Sequence, residues 1–313
     1  MAQSSTPTAT LRIGSRGSPL ALVQAREVKS RLAAAAGLDP ERIEIKVIRT
    51  TGDLVQDRPL ADAGGKGLFA KEIEEALLAG VIDLAVHSSK DLPTVLPAGL
   101  ALASFLPRED ARDAFISRKA KALRDLPPGS TVGTASPRRQ AFVKRLRPDI
   151  EVMTLRGNVE TRLRKLDAGE VDATLLAVAG LKRLGLLSAA TAILELDEFL
   201  PAAAQGAIGI ETRADDTATR ALVAAINDRD TATAVAAERA FLAVLDGSCR
   251  TPIGGHAIVH GGTIRFRGMI VKPDGSESYE AVREGGREQA VELGADAGRE
   301  LRDRAGADFF QQT

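Results

Sequence analysis

Three short runs in this 313-residue sequence hold side chains able to do chemistry. In His87-Ser88-Ser89-Lys90-Asp91-Leu92-Pro93, polar groups crowd directly after an apolar run, where open α/β sheets place their ligands. Lys90 suits a Schiff base and Asp91 a general acid or the stabiliser of a developing cation, although Lys-Asp-x-Pro also ends ordinary surface turns. Gly64-Gly65-Lys66-Gly67-Leu68-Phe69 carries a lysine among glycines, but Leu60 stands where a Walker loop needs its first glycine and Gly67 where Ser or Thr should follow Lys66. A nucleotide site is therefore rejected. Lys66 stays available to an anion, and Phe69 either to a ring or to the core. Cys249 lies in Leu245-Asp246-Gly247-Ser248-Cys249-Arg250-Thr251-Pro252. Free cysteines are usually buried and inert, yet Gly, Ser and Pro make this run a turn and Arg250 favours thiolate, so an attachment point is an equally physical reading.

Composition removes several other chemistries. One cysteine excludes an intrachain disulfide, and with three scattered histidines it cannot supply the usual zinc site, so no metal is expected. No G-x-S-x-G elbow accompanies those histidines, which leaves a hydrolase triad without support. Net charge is zero and Trp is absent, against a nucleic-acid-binding surface. Charge is nonetheless uneven: between Arg138 and Arg183 there are eleven Lys/Arg against six Asp/Glu, which fits either an anionic ligand or a solvated basic helix face. No apolar run reaches the length of a membrane span, and Met1 to Ala9 lack the basic start and apolar core of a signal peptide. A soluble, cytoplasmic protein with no membrane partner is expected, a monomer by default.

The elements that must position these residues come in two similar sets. Leu11 to Ser15 reads as a strand running into Ser18-Pro19 and a helix that stops at Gly37. Thr131-Val132-Gly133 repeats the arrangement, with Ser136-Pro137 opening a helix that ends before Pro148. Ser at the cap, Pro at the first helical position and Gly after the last turn are standard helix punctuation. Ala79-Gly80-Val81-Ile82-Asp83 precedes a strand at 84–87, as Ala168-Gly169-Glu170-Val171-Asp172 precedes one at 173–178. Two α/β lobes with largely parallel sheets and a cleft between them are expected. Gln205 to Ile210 reads as a strand returning to the first lobe. Beyond Asn227, one helix to about Leu245, three strands broken at His260-Gly261-Gly262 and Pro273-Asp274-Gly275, and a closing helix predict a small antiparallel α+β domain. The expected division is 10–106 with 207–224, then 112–200, then 228–313.

Together, RIGSRGSPLA, GGKGLF, AVHSSKDLP, VGTASPRRQ, LRGNVETRL, LAVAGLKRLG, AAAQGAIGIE and LDGSCRTPIG resemble the porphobilinogen deaminases, in that family's order, from about Leu11 to Phe310. The resemblance implies two lobes like type II periplasmic binding proteins plus the third domain. It also implies a covalent dipyrromethane cofactor on Cys249 and the condensation of porphobilinogen to hydroxymethylbilane with loss of ammonia. By the same resemblance Asp91 is the catalytic carboxylate, with Lys90 beside it. Arg138, Arg139, Ser136, Lys66, Ser88, Arg162 and Gly157 would contact the cofactor, and Arg16, Ser18, Arg156, Arg183 and Phe69 the substrate. Each substrate unit carries an acetate and a propionate, which suits arginine forks better than lysine. Gly17 and Asp62 depart from the family's commonest residues, which are often longer or basic, and Pro137 replaces a flexible residue before the arginine pair. Two other readings remain at this point: a two-lobed anion-binding module, and a pyridoxal-phosphate enzyme using Lys90.

Overall fold

The computed structural model of the protein describes residues 10–54, 69–245, 251–306 and 308–310. The first lobe starts with β1 (Leu11–Ser15), α1 (Pro19–Ala36), β2 (Ile43–Val47), a short α2 (Thr51–Leu54), α3 (Lys71–Leu78), β3 (Leu84–Ser88) and β4 (Leu100–Phe105). The chain then crosses to a second lobe made of β5 (Asp113–Ser117), β6 (Thr131–Gly133), α4 (Pro137–Leu146), β7 (Glu151–Met153), α5 (Val159–Asp167), β8 (Ala173–Ala177), α6 (Val178–Arg183) and β9 (Ala192–Ile193). It returns as β10 (Ile208–Arg213) and α7 (Thr217–Ala224). The two sheets have orders β2-β1-β3-β10-β4 and β7-β6-β8-β5-β9, so each element of one has a counterpart in the other.

Local chemistry explains the repeat. Ser18 caps α1 by accepting from the Ala21 N–H, Pro19 occupies the first turn, and Gly37 closes the helix at φ 61°. Ser136 accepts from the Arg139 N–H at the start of α4, again ahead of a proline. The strands β3 and β8 are buried on both faces until their last residue, the pattern of a sheet covered by helices on each side.

The sheets are mixed, and the reason lies in the crossings. β10 is antiparallel to both β3 and β4, and β5 is antiparallel to both β8 and β9. Each arrives from the other lobe, so it enters at the carboxyl end of its neighbour: Ile208 pairs with Ser88, and Asp113 with Ala177. The strand expected over 205–210 accordingly begins only at Ile208. Ala204 and Gly206 have φ of 60° and 88°, and two left-handed residues within three positions make a turn, not a strand. Gly206 is required there, since a Cβ would lie 2.3 Å from the Glu109 carbonyl oxygen.

The third unit packs α8 (Arg229–Val244) and α9 (Ala290–Ala305) on the antiparallel meander β11 (Ile253–His260), β12 (Thr263–Val271) and β13 (Ser278–Gly286). Met269 and Val271 reach into the second lobe's core beside Phe142, Phe199 and Leu200. Fully buried Glu238 on α8 ties the parts together by accepting from Arg108 at 2.6 Å, the Ala257 N–H at 2.7 Å and the Ala204 N–H. Close approach of α9 to α8 depends on Gly294, where a Cβ would meet the Ala237 carbonyl oxygen at 2.0 Å. Alanine there gains about 1 kcal/mol of helix propensity but overpacks the contact at a cost of about 1–3 kcal/mol. Gly294→Ala is therefore expected to lower stability, read as a reduced urea midpoint; a raised midpoint would remove the packing argument. Among the described residues no helix is long and apolar enough to cross a membrane.

Candidate functional site

Asp91 stands at the carboxyl end of β3, where the strand gives way to a single 3₁₀ turn, Ser89–Asp91. The buried neighbours Ser89 and Leu92 anchor that turn, and Asp91 itself is exposed. The Ser89 N–H donates to the Ala207 carbonyl in the crossing segment, which holds the turn against β10. Asp91 shares one depression with Arg16, Ser18, Phe69, His87 and Ser88. Within it the Arg16 guanidinium carbon lies 4.1 Å from the Phe69 ring centroid, a cation–π contact that orients both. Gln24 of α1 donates to the Ser88 hydroxyl at 2.9 Å, fixing the end of the strand.

Lys90 turns the other way. Its Nζ donates to the Gln205 Oε1 at 3.1 Å. Burial, and then the charge of Arg139, push its ammonium down to about 8, against the opposing attraction of Asp91 and Asp113. The amine is thus partly neutral near physiological pH, unlike an ordinary surface lysine.

On the second lobe the arginine pair of α4 is buried, at 4% and 5% exposure. Arg138 donates to Asp113 Oδ2 and to the Leu200 carbonyl, both at 2.7 Å. Arg139 donates from Nε and Nη2 to Asp113 Oδ1 and from Nη1 to the Leu175 carbonyl, so each of its nitrogens is engaged inside the protein. Burial by itself would raise the Asp113 carboxyl, but the two guanidiniums override it and hold it well below the usual carboxylate range. Ser136 is the cap of α4, one turn from this pair.

Arg162 on α5 donates to the Gly157 carbonyl at 2.8 Å. Gly157 has φ 119°, and a Cβ would lie 2.6 Å from the Thr161 methyl, so glycine is required for the turn that presents this carbonyl. Burial, followed by repulsion from Arg139, pushes Arg162 down to about 10, with Arg156 adding to the repulsion and Asp91 opposing it. Arg183 lies apart, at the lobe junction, donating to the Gly206 carbonyl at 3.0 Å and facing Glu27 of α1 at 3.9 Å.

The structure thus gathers Lys90, Asp91, Arg138, Arg139, Arg156 and Arg162 into one electrostatically linked group and sets Arg16, Ser18, Phe69 and Ser88 in the depression around Asp91. Arg183 joins neither set. Cys249, Lys66 and Asp62 lie outside the described residues; Cys249 falls between α8 and β11. Two residues central to the group, Asp113 and Gln205, carried no chemical signal in the sequence beyond Gln205's place in AAAQGAIGIE. Lys90, Arg138, Arg139, Arg156 and Arg162 thus lie within electrostatic reach of one another, with Asp91 and Asp113 as carboxylates among them. A group rich in guanidiniums suits a ligand that bears several carboxylates.

Comparison with known proteins agrees with this chemistry. Residues 11–221 match the family model described as porphobilinogen deaminase, dipyromethane cofactor binding domain, and residues 232–303 the porphobilinogen deaminase C-terminal domain. The porphobilinogen deaminase of Nitrobacter hamburgensis is 68% identical over 95% of this chain and 94% of its own length, and that of Nitrobacter winogradskyi is 67% identical over the same shares. Among solved structures, the methionine-binding protein MetQ is similar at a TM-score of 0.45 and 16% identity, over 74% of this chain and 95% of MetQ. A periplasmic substrate-binding protein of an ABC transporter from Coxiella burnetii is similar at 0.43 and 17%, over 74% of this chain and 97% of that one. Matched in succession by both domain models, and at two-thirds identity by relatives of nearly equal length, this chain belongs to the porphobilinogen deaminase family.

Proposed function

We propose that the protein condenses four porphobilinogen molecules head to tail, releasing ammonia at each addition and hydroxymethylbilane at the end, from a dipyrromethane cofactor held through the Cys249 sulfur. The observation that carries this reading is the exposed Asp91 carboxylate at the end of β3, set within electrostatic reach of Lys90 and Arg162 and, through them, of Arg139 and Arg156.

When bound, dipyrromethane supplies the free α-carbon of a terminal pyrrole as the nucleophile. The chain's own residues do the rest. Asp91 accepts hydrogen bonds from pyrrole N–H groups and stabilises the cation that forms as the aminomethyl arm of the incoming unit loses ammonia. Arg16, oriented over Phe69, and Ser18 receive that unit's carboxylates and ring. Arg156 and Arg162 accept carboxylates across the cleft, with Ser88, Ser136, Gly157 and Lys66 as further cofactor contacts. Arg138 and Arg139 favour the same anions through their charge, their forks being held by Asp113 and backbone carbonyls. Arg183 acts at the lobe junction. Lys90 exchanges a proton near neutral pH beside Asp91, which suits a step in which a neutral amine departs.

The test is the mass of the denatured, intact protein. Active enzyme should weigh more than its sequence by two linked pyrrole units and give a colour with acidic aldehyde reagent, and Cys249→Ala should abolish both signals. Active protein with the bare mass of its sequence would overturn the cofactor assignment.

A further inference from the structure

Gln205 sits in the turn of the crossing segment that leads from the second lobe back to β10, and its side chain is buried at 1% exposure. Its amide is engaged from both ends. The Nε2 group donates to the Ala111 carbonyl at 2.7 Å and to Asp113 Oδ1 at 3.0 Å, while Oε1 accepts from Lys90 Nζ at 3.1 Å. Two acceptors on one side and a cationic donor on the other leave a single orientation for the amide. The left-handed residues on either side of it, Ala204 and Gly206, keep the backbone in the turn that delivers this side chain.

From this geometry we infer that Gln205 is a positioning residue for the reaction: it links the buried carboxylate of the second lobe to the lysine of the first, and so sets where the Lys90 amine stands and how readily it gives up its proton. Among the described residues the hydrogen-bond acceptor of Lys90 is Gln205; the charges around the amine are Arg138 and Arg139 of α4 as like charges, Asp113 of β5 as an opposite charge behind the amide, and Asp91 of its own turn. The amide oxygen stabilises the ammonium form, and burial beside two arginines opposes it. The Gln205 amide bonds to both groups, so Asp113 attracts the Lys90 ammonium as a more distant charge and not as a direct partner. The interposed neutral amide transmits part of that attraction while keeping the lysine labile. The same contact joins the lobes, since Lys90 follows β3 and Asp113 begins β5. The inference rests on the proposed role of Lys90 in turnover, and the experiment separates the two.

Trace acetylation of the full-length protein without substrate, across pH about 6 to 11, gives the titration midpoint of Lys90 by peptide mass spectrometry. Methionine is close to glutamine in length and still blocks Asp113, so Gln205→Met should lower the midpoint by about one unit, a tenfold rise in free amine below it. Gln205→Asn keeps the amide but withdraws its oxygen by one methylene, and should shift the midpoint in the same direction by less; it decides the question if the methionine variant fails to fold. An unchanged or raised midpoint in the folded variant overturns the assignment, whatever happens to activity. The pH profile of ammonia release from porphobilinogen, measured on the same variant, should move down with the midpoint. A displaced midpoint with an unmoved profile would remove Lys90 from the reaction and leave Gln205 as the residue that positions it.

Discussion

Asp91→Asn should slow turnover by about a hundredfold to a thousandfold, equivalent to about 2.7–4 kcal/mol of lost transition-state stabilisation. The charge change of the reaction demands this. A neutral pyrrole with an aminomethyl arm becomes a delocalised cation when ammonia leaves, and an anion beside the ring nitrogen favours that state over the ground state. Asparagine keeps the shape of the side chain and a hydrogen-bond acceptor but loses the charge. The fold should survive, because Asp91 is exposed and the 3₁₀ turn is anchored by Ser89 and Leu92 instead. The variant would be loaded with preformed hydroxymethylbilane as cofactor source, its adduct confirmed by mass, and ammonia release from porphobilinogen measured. Near-normal release from loaded, folded protein would refute the role and pass it to Lys90.

Removing the Asp113 carboxylate should have the largest effect on stability. Asp113 is fully buried and is the shared counter-ion of Arg138 and Arg139, at 2.7 and 2.6 Å. Truncating one member of a buried ionic group leaves the others desolvated without compensation, at a cost of about 3–5 kcal/mol. Asp113→Ala should therefore unfold at much lower urea than the wild type. Adding Arg138→Met should recover part of the loss, because one of the stranded charges is then gone. The sign of the pH dependence follows from the depressed carboxyl. Its stabilisation is fully present above the unfolded value of about 3.9 and is lost only as pH falls through the lower folded value. The gap between wild type and Asp113→Ala should thus persist as pH falls to about 5 and close only in stronger acid. A loss below about 1 kcal/mol near neutrality would show that the arginines find other partners.

Much of this protein was legible in its residues because the interactions concerned act over a few positions. Ser18-Pro19 and Ser136-Pro137 announce helices whose caps are formed by contacts to the third residue onward, Ala21 and Arg139. The Gly261 and Gly275 turns delimit three strands through left-handed backbone that glycine adopts without a clash. An apolar run ending in a polar cluster placed Asp91 at the carboxyl end of a strand, since a doubly buried strand must be apolar and must stop where side chains meet water. The remainder was settled by which distant residues meet in a medium of low dielectric. Nothing near Asp113 in the chain marks it as the counter-ion of arginines that follow it by 25 and 26 residues. That pairing forms because burial makes an uncompensated charge costly and the α4 helix delivers both guanidiniums to the start of β5. Gln205 reads locally as part of a strand, yet it lies in a turn, because the chain re-enters the first lobe at the carboxyl end of β3 and must reverse before it can pair. Local sequence thus determined the elements and the loop that bears Asp91. Only the tertiary structure decided that the arginine pair is held from within and that an amide stands between it and Lys90, because both depend on desolvation and on chain crossings that no neighbouring residue encodes.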